Sequence, residues 1–290
     1  MLRAIHRKKL TVTAAVLALS VLLGACGVQT GALHTQDPHE GMIQVSDGIG
    51  GYMWVREYEE LDKNTFSAAD FSEEDGMLCF SGEGYTALSG IDVSFYQGEI
   101  DWNAVAADGI EFAVIRAGYR GCTEGGISED ERFRENMLGA LDAGLKVGVY
   151  FFSQAVNAAE AEEEADFLLD LISGYDVTLP VMFDWEHIGN GTPARTDSVS
   201  GETLTECALA FCEKVAGAGY SSGVYFYPNL GYLEYDLGQL AGLTFWLSEP
   251  GNAPSFWYAH EMWQYSYSGR VAGIEGEADL NMYFVKDKTA

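Results

Sequence analysis

The sequence predicts an α/β barrel, because apolar runs typical of buried strands alternate with amphipathic helices from Gly90 onward. Four of these strands begin near residues 112, 146, 181 and 223, at intervals of 34 to 42 residues. That interval is the length of one strand and one helix in a parallel sheet. Beyond Tyr227 the apolar runs are shorter, with little helix between them. We therefore expect strands without covering helices to close the barrel.

The predicted elements follow in chain order. Strands are expected at residues 90–93, 112–116, 146–152, 179–186, 223–227, 244–247, 261–265 and 280–284. Helices are expected near residues 102–107 and after three N-terminal caps, which are Ser128 with Glu131, Asn157, and Thr203 with Glu206. In the helix that Asn157 begins, an acidic face is expected to be solvated; it comprises Glu160, Glu163 and Glu164.

Residues 1–25 have the features of a bacterial lipoprotein signal peptide. Four Lys and Arg residues precede an apolar run at 10–23, and Leu-Gly-Ala-Cys at 23–26 resembles the lipobox. Cys26 would then be the lipid-modified first residue of an exported protein on the outer face of the cytoplasmic membrane. The alternatives are an ordinary signal peptide, which would send the chain to the cell wall or medium, and a short membrane anchor. A bilayer needs about 20 apolar residues, more than this run supplies.

The remaining chain divides into three segments. Residues 26–50 are rich in Gly, His, Gln, Asp and Ser, which predicts a flexible tether. Residues 51–87 carry aromatic residues scattered among acids, too few for a core of their own, which predicts a small extension with a strand at 77–80. This extension could pack on the barrel or bind a partner. Residues 88–290 form the barrel.

Composition excludes several classes of partner. The formal net charge of −28 excludes nucleic acid, because a polyanion would be repelled. Loss of residues 1–25 would remove four of the 16 Lys and Arg and none of the 44 Asp and Glu. The formal net charge would then be −32. The Cys residues lack the spacing of a disulfide framework or a zinc site, so no metal or cofactor is expected. The disulfide state stays open for Cys79, Cys122, Cys207 and Cys212.

The strongest chemical signal is the pair Asp184 and Glu186, which ends the apolar run at 179–186. Side chains alternate along a strand, so both acids face the same way, with Cα atoms roughly 6.5 Å apart, while Trp185 faces the core. Two acids so close raise each other's pKa, and one of them can then serve as a general acid. A strand end with solvated acids is the alternative reading.

Two further acids join this pair if the barrel closes. Reactive groups in such barrels lie at the C-terminal ends of the strands. Asp92 lies near the end of the first strand, and closure brings the last strand, with Asp279, beside it. Four acids should therefore face one mouth. No Ser, Cys or His has the partners of a nucleophilic triad, and no Gly-rich phosphate loop follows the first strand.

Aromatic and amide side chains occur at the same strand ends. Aromatic rings stack on sugars, whereas carboxylates and amides hydrogen-bond to them, so this mixture predicts a glycan-hydrolysing cleft. Phe152 and Trp185 are better explained as barrel core. The candidate substrate-binding residues are Tyr119, Tyr150, Tyr227, Trp246, Gln264 and Asn281.

Ordered motifs between about residues 88 and 287 resemble glycoside hydrolase family 25, the Chalaropsis-type lysozymes. They lie at 90–94, 97–98, 100–102, 112–119, 180–186, 263–265 and 279–281, and include Gly-Ile-Asp-Val-Ser and Met-Phe-Asp-Trp-Glu. The resemblance implies an irregular TIM-like barrel of eight strands and about five helices. It also implies hydrolysis of the β-1,4 bond from N-acetylmuramic acid to N-acetylglucosamine in peptidoglycan, with retention through the substrate's acetamido group.

The resemblance implies a role for each acid. Glu186 matches the general acid/base, Asp184 the residue that orients the acetamido group, and Asp92 and Asp279 two flanking carboxylates. One segment departs from the family, which usually reads Trp-x-Ala-x-Tyr in its sixth strand. Here the sequence is Trp-Leu-Ser-Glu-Pro at 246–250, which indicates an altered sugar subsite. We expect a monomer that acts on glycan strands and needs no cofactor.

Two other functions are compatible with these residues. A lectin-like module could keep the cleft without turnover, although it would have no need of four acids. A chitinase-like N-acetylglucosaminidase also uses Asp-x-Glu on a barrel strand, and would cleave chitin oligomers that lack the lactyl group.

Overall fold

The computed structural model describes residues 37–189, 191 and 193–288. The predicted signal peptide and Cys26 lie outside these described residues. Residues from Gly41 onward form one compact unit. Within the described ranges, no helix has the length and apolar character needed to cross a membrane.

Two antiparallel hairpins precede the barrel. The first pairs β1 (Met42–Ser46) with β2 (Tyr52–Arg56), and the second pairs β3 (Phe71–Glu74) with β4 (Met77–Phe80). β4 is the strand predicted at residues 77–80. β1, however, lies within the segment predicted to be a flexible tether. Its alternating residues Ile43 and Val45 are buried, so this short segment has one apolar face that packs as a strand.

Eight strands form the closed barrel, which confirms the predicted fold class. The described strands that follow the hairpins are β5 (Tyr85–Val93), β6 (Phe112–Arg120), β7 (Ile127–Glu129), β8 (Lys146–Ser153), β9 (Val181–Trp185), β10 (Ser222–Phe226), β11 (Thr244–Ser248), β12 (Met262–Gly269) and β13 (Ala278–Lys286). β7 pairs only with the end of β6 and is not part of the barrel. The barrel begins at Tyr85, slightly before the predicted boundary.

Closure depends on the last strand, which runs against its neighbours. β5 pairs in parallel with β6 and antiparallel with β13, and β13 is also antiparallel to β12. The other neighbouring barrel strands are parallel. Because β13 is reversed, its beginning lies at the mouth where the parallel strands end. The register places Asp279 directly opposite Asp92.

Five α-helices occur in the described part of the chain: α1 (Trp102–Ala107), α2 (Phe133–Asp142), α3 (Ala158–Ile172), α4 (Gly201–Gly217) and α5 (Pro228–Leu233). The predicted cap of α3 is confirmed, since the Asn157 side chain accepts a hydrogen bond from the Glu160 N–H at 3.0 Å. The other two caps are wrong. Ser128 belongs to β7, and α4 begins one turn earlier than predicted, after Ser200, whose hydroxyl accepts from the Thr203 N–H.

The apolar core has two layers. One fills the barrel interior with large side chains that include Phe112, Met182 and Trp246. The other lies between the barrel and its helices, and contains Trp185 together with Cys207 and Cys212 of α4. The four Cys in the described residues are free thiols.

The N-terminal extension covers the side of the barrel where β12 and β13 lie. Phe66 packs on Phe284 of β13, with ring centroids 4.3 Å apart, and Phe71 packs edge-on against Trp263 of β12 at 5.2 Å. In barrels of this class a helix usually covers each strand. These aromatic side chains provide that cover where the sequence predicts strands without helices.

The acidic face of α3 differs from the prediction. Glu164 is fully buried rather than solvated, and its carboxylate accepts a hydrogen bond from Arg120 Nε at 2.6 Å. Glu160 forms an ion pair with Arg195 at 2.7 Å, whereas Glu163 is exposed and contacts Arg120. All three predicted surface acids therefore form ion pairs, and only Glu164 lies beneath the surface.

Candidate active site

The four predicted acids lie together at the mouth of the barrel. They line one pocket of about 290 Å³, formed where β5 and β9 end and β13 begins. Asp184 and Glu186 lie on the same face at the end of β9, as alternation along the strand requires. Asp184 is buried and Glu186 half-buried. The reversed β13 contributes Asp279, which is its second residue.

A hydrogen-bond network holds the Asp92 carboxylate. Its Oδ2 atom accepts hydrogen bonds from Gln264 Nε2 and Asn281 Nδ2, both at 2.7 Å. The Asn281 oxygen in turn accepts from Trp246 Nε1 at 2.8 Å, and the Gln264 oxygen accepts from the Tyr225 hydroxyl at 2.8 Å. These contacts fix which end of each amide faces Asp92. Gln264 and Asn281 therefore position an acid.

Asp92 and Asp279 both have raised pKa values. Burial raises the pKa of Asp92 well above its usual range, and the charge of Asp279 raises it further, whereas hydrogen bonds from Asn281 and Gln264 lower it. Burial also raises the pKa of Asp279, to about 6, although a hydrogen bond with Asp92 lowers it. The carboxyl groups of Asp92 and Asp279 therefore affect each other's pKa values.

Burial raises the pKa values of both Asp184 and Glu186, and different neighbouring charges add to the effect. Burial raises the pKa of Asp184 well above its usual range, and the charges of Glu186 and Asp92 raise it further. Burial also raises the pKa of Glu186, and here the neighbouring charge that adds to it is that of Asp279. Burial and these charges therefore favour the neutral form of Asp184. Its Oδ1 atom is buried without a hydrogen-bond partner in the described residues.

The backbone at the end of β9 is held firmly. The Glu186 carbonyl accepts a hydrogen bond from Gln154 Nε2 at 2.9 Å, and the Gln154 oxygen accepts from the Thr196 hydroxyl at 2.9 Å. The fully buried Trp185 donates from Nε1 to the Ala155 carbonyl at 3.2 Å. Since both Gln154 and Thr196 are buried, the direction of the Glu186 side chain is set by the core.

The candidate sugar-binding residues have different surroundings. Tyr150 and Trp246 line the pocket, as does Gln264, whereas Asn281 is fully buried behind Asp92. Tyr119 lies beside Arg116, whose guanidinium is 5.5 Å from its ring centroid. Tyr227 lines a neighbouring pocket.

Several residues that line the pocket are absent from the sequence-based set: Tyr96, Gln97, Arg116, Phe152 and Tyr225. Arg116 forms a buried ion pair with Asp130 at 2.8 Å. Tyr225 lies in β10 directly opposite Asp184 in the register of the two strands. Tyr96 and Gln97 lie in a short 3-10 helix after β5, and no periodic pattern marks them.

The segment at 246–250 also has its own local structure. The Ser248 hydroxyl donates to the Gln264 oxygen at 2.9 Å and lies 2.6 Å from the Tyr267 hydroxyl. Tyr267 of β12 therefore brings a phenol ring to the edge of the site. Pro250 occupies the position at which the family pattern has Tyr.

Comparison with known proteins agrees with this arrangement. The model of glycosyl hydrolases family 25 matches residues 91–274. The chain belongs to this family. It is therefore a glycoside hydrolase. Lysozyme M1 of Streptomyces globisporus is 31% identical over 209 residues, which are 68% of each chain.

Solved structures of family 25 proteins have the same barrel. The lysozyme from Streptomyces coelicolor superposes with a TM-score of 0.54 and 27% identity, covering 68% of this chain and 92% of that one. The modular autolysin LytC from Streptococcus pneumoniae, in complex with synthetic peptidoglycan ligand, has a TM-score of 0.58 and 26% identity. That match covers 73% of this chain and 52% of LytC. The chain thus spans about half the length of LytC.

The family 25 match covers only part of the described chain. It begins within β5 and ends before β13, so it contains Asp92, Asp184 and Glu186 but stops short of Asp279. The two N-terminal hairpins also lie outside it.

Proposed function

We propose that this family 25 barrel is an N-acetylmuramidase, which hydrolyses the β-1,4 bond from N-acetylmuramic acid to N-acetylglucosamine in peptidoglycan. The observation that carries the proposal is the placement of four acids in one pocket, where burial raises the pKa values of both Glu186 and Asp184. The names of the relatives, a lysozyme and an autolysin with a peptidoglycan ligand, support the same substrate.

In the proposed mechanism Glu186 is the general acid. It gives its proton to the glycosidic oxygen as the bond from that oxygen to C1 of the muramic acid residue breaks. General acid catalysis requires a group that still holds its proton near the working pH. Burial and the charge of Asp279 both favour the protonated form of Glu186.

The acetamido group of the substrate acts as the nucleophile in this proposal. Its oxygen attacks C1 and forms an oxazolinium ion, while the bond electrons leave with the oxygen that Glu186 protonates. The unpartnered Oδ1 of Asp184 accepts the acetamido N–H and so orients the group. Water then opens the oxazolinium ion and returns a proton to Glu186. Two inversions at C1 give net retention, the substrate-assisted exception among glycosidases.

Asp92 and Asp279 support this pair electrostatically. Asp279 keeps the pKa of Glu186 raised, whereas the raised pKa of Asp92 favours fewer negative charges among the four acids of the pocket. Gln264 and Asn281 contribute by holding Asp92 in place. Tyr150, Trp246, Tyr227 and Tyr119 remain the proposed sugar-contacting rings.

A digest of purified peptidoglycan tests the proposal. Reduction of the products with borohydride labels each new reducing end. We expect labelled muramic acid, and a β anomer as the first product if configuration is retained. Labelled glucosamine, together with cleavage of chitin oligomers, would instead indicate a chitinase-like enzyme. Binding without any new reducing end would indicate a catalytically silent module.

The pH profile distinguishes the roles of two neighbouring acids. Asp279→Asn removes the charge that raises the pKa of Glu186, so that pKa should fall. Because the general acid must be protonated, the alkaline limb of the kcat/KM profile should then move to lower pH. Asp184→Asn replaces a group whose neutral form burial favours, so it should move the limb less than Asp279→Asn does while lowering activity. A shift in Asp184→Asn alone would contradict this division of roles.

We also propose that the exported enzyme is a monomeric lipoprotein, with residues 1–25 as its signal peptide and Cys26 as the lipidated residue. The bacterial lipobox at residues 23–26 supports this anchoring. Two or three acyl chains would hold the protein at the membrane firmly, whereas one binds only weakly. The segment that follows Cys26 would then keep the barrel near the cell wall.

The anchor can be tested by Cys26→Ala. This variant should appear in the medium or remain unprocessed, and should lose its partition into detergent. Cys79→Ala is the matched control, because Cys79 is an exposed free thiol in β4. Detergent partition of Cys26→Ala equal to that of the unchanged protein would exclude the lipid anchor.

A further inference from the structure

A second pocket adjoins the proposed active site and is built partly from residues outside the family 25 match. Its volume is about 350 Å³. Ser46 and Gly48, at the turn between β1 and β2, line one part of it, and Tyr227 and Tyr267 of the barrel line another. The match to the family begins at residue 91, so it does not include the hairpin.

The two pockets are connected through Ser248. Its hydroxyl donates to Gln264, which holds Asp92, and lies 2.6 Å from the hydroxyl of Tyr267 in the second pocket. Burial raises the pKa of Tyr267, and the charge of Glu186 raises it further. A polymer in the active site would therefore pass close to the second pocket.

The hairpin turn is rigid enough to form a binding wall. Asp47 Oδ1 accepts hydrogen bonds from the Ile49 N–H at 2.9 Å and the Gly51 N–H at 2.8 Å. Gly48 has a φ of 78°, which favours glycine, and so lets the chain turn without strain. Opposite Ser46 in the register lies Tyr52, whose ring is 73% exposed on the same outer face.

The pocket lining has the chemistry of a neutral sugar site. It combines aromatic rings with uncharged hydrogen-bonding groups, which include Tyr227, Tyr232, Phe256, Tyr267, Ser46 and Asn229. Among the described residues that line it there is no Lys or Arg, and the single acid, Glu249, already accepts from the Ser255 N–H at 2.8 Å. A stem peptide carries carboxylates that call for a cation. An N-acetylhexosamine needs only rings and neutral polar groups.

We propose that this pocket is an additional sugar subsite, in which the β1–β2 hairpin and the rings of Tyr227 and Tyr267 bind an N-acetylhexosamine of the strand being cleaved. The inference rests on the proposed muramidase function. It extends the binding groove by at least one sugar beyond the pocket that contains the acids. The enzyme should therefore prefer longer glycan strands, because only these reach both pockets.

The test compares peptide-free oligomers of alternating N-acetylglucosamine and N-acetylmuramic acid with four and eight sugars. Ser46→Trp fills the pocket from the hairpin side. It should lower the ratio of kcat/KM for eight sugars over four by about tenfold, which corresponds to about 1.4 kcal/mol. Gln44→Trp is the matched control, since Gln44 lies on the same outer face, opposite Trp54, but does not line the pocket. It should leave the ratio unchanged.

A second variant and a binding measurement distinguish loss of the subsite from misfolding. Asn229→Trp fills the pocket from the barrel side and should lower the same ratio. In a Glu186→Gln background, either Trp substitution should weaken calorimetric binding of eight sugars more than of four. Three results would overturn the subsite. They are an unchanged ratio, an equal loss of kcat/KM at both lengths, and a loss of kcat/KM confined to strands with stem peptides. Failure of the muramidase proposal looks different, since unchanged protein would then cleave neither oligomer.

Discussion

Glu186→Gln should reduce the turnover of peptidoglycan by about 10² to 10⁴, the usual contribution of a general acid. The amide keeps the size and shape of the side chain but has no acidic proton to transfer. Its position should not change, because Gln154 holds the backbone carbonyl at 2.9 Å and Trp185 is buried beneath it. We expect kcat to fall while the affinity for glycan strands stays close to that of the unchanged enzyme.

Glu277→Gln is the control for this change. Glu277 is an exposed acid immediately before β13, and it does not line the pocket of the four acids. Loss of its charge should leave turnover within about twofold, since exposed charges interact weakly through water. If Glu186→Gln instead retains more than about a tenth of the activity, another group donates the proton.

Most of the barrel could be predicted because its signals are local. The run of apolar residues in β6 is buried almost throughout, and such a run identifies a central strand by itself. The Asn157 cap acts over three residues, and the structure contains it. The predicted cap at Ser128 is wrong because a neighbouring strand pairs with the same residue. Ser128 pairs with Tyr119 as part of β7, so it cannot cap α2.

The gathering of the four acids could also be predicted, because closure of a barrel makes its first and last strands neighbours. Asp92 and Asp279 are indeed register partners. The sequence could not show which charge controls each pKa. Proximity along β9 predicted the repulsion between Asp184 and Glu186, but not the charge of Asp279 across the mouth, which also raises the pKa of Glu186. That contact depends on the reversed direction of β13.

Contributions from outside the barrel were the hardest to predict. β1 is five residues long, and its apolar alternation is confined to Ile43 and Val45. Nothing in such a segment reveals that its turn lies beside Tyr267, more than two hundred positions away. The same limit applies to Glu164, because its partner Arg120 precedes it by 44 residues. A helical wheel of α3 alone gives no reason to expect a buried acid there.

Loss of the buried Arg120–Glu164 ion pair should have a large effect on the stability of the fold. Arg120→Met should lower the free energy of unfolding by about 3–5 kcal/mol, the cost of leaving a buried charge without its partner. Arg120 also donates to the Gly125 carbonyl at 2.7 Å and the Glu160 carbonyl at 3.0 Å, so several bonds are lost together. Urea unfolding would show a lower midpoint with an unchanged slope. Arg132→Met, which breaks an exposed pair with Glu135, should cost less than about 1 kcal/mol.

The pH dependence of the stability of Arg120→Met would identify the buried Glu164 carboxylate as the cause of the loss. Burial raises the pKa of Glu164 to about 7 even though Arg120 lowers it, so loss of Arg120 should raise that pKa further. An acid with a raised pKa in the folded state stabilises below its unfolded pKa and loses that contribution as pH rises. The deficit of Arg120→Met should therefore be smaller near pH 5 and larger above pH 7. Adding Glu164→Leu should recover most of the stability at neutral pH, because apolar replacements of a buried pair are often tolerated. A deficit independent of pH and unrelieved by Glu164→Leu would attribute the loss to the carbonyl contacts instead.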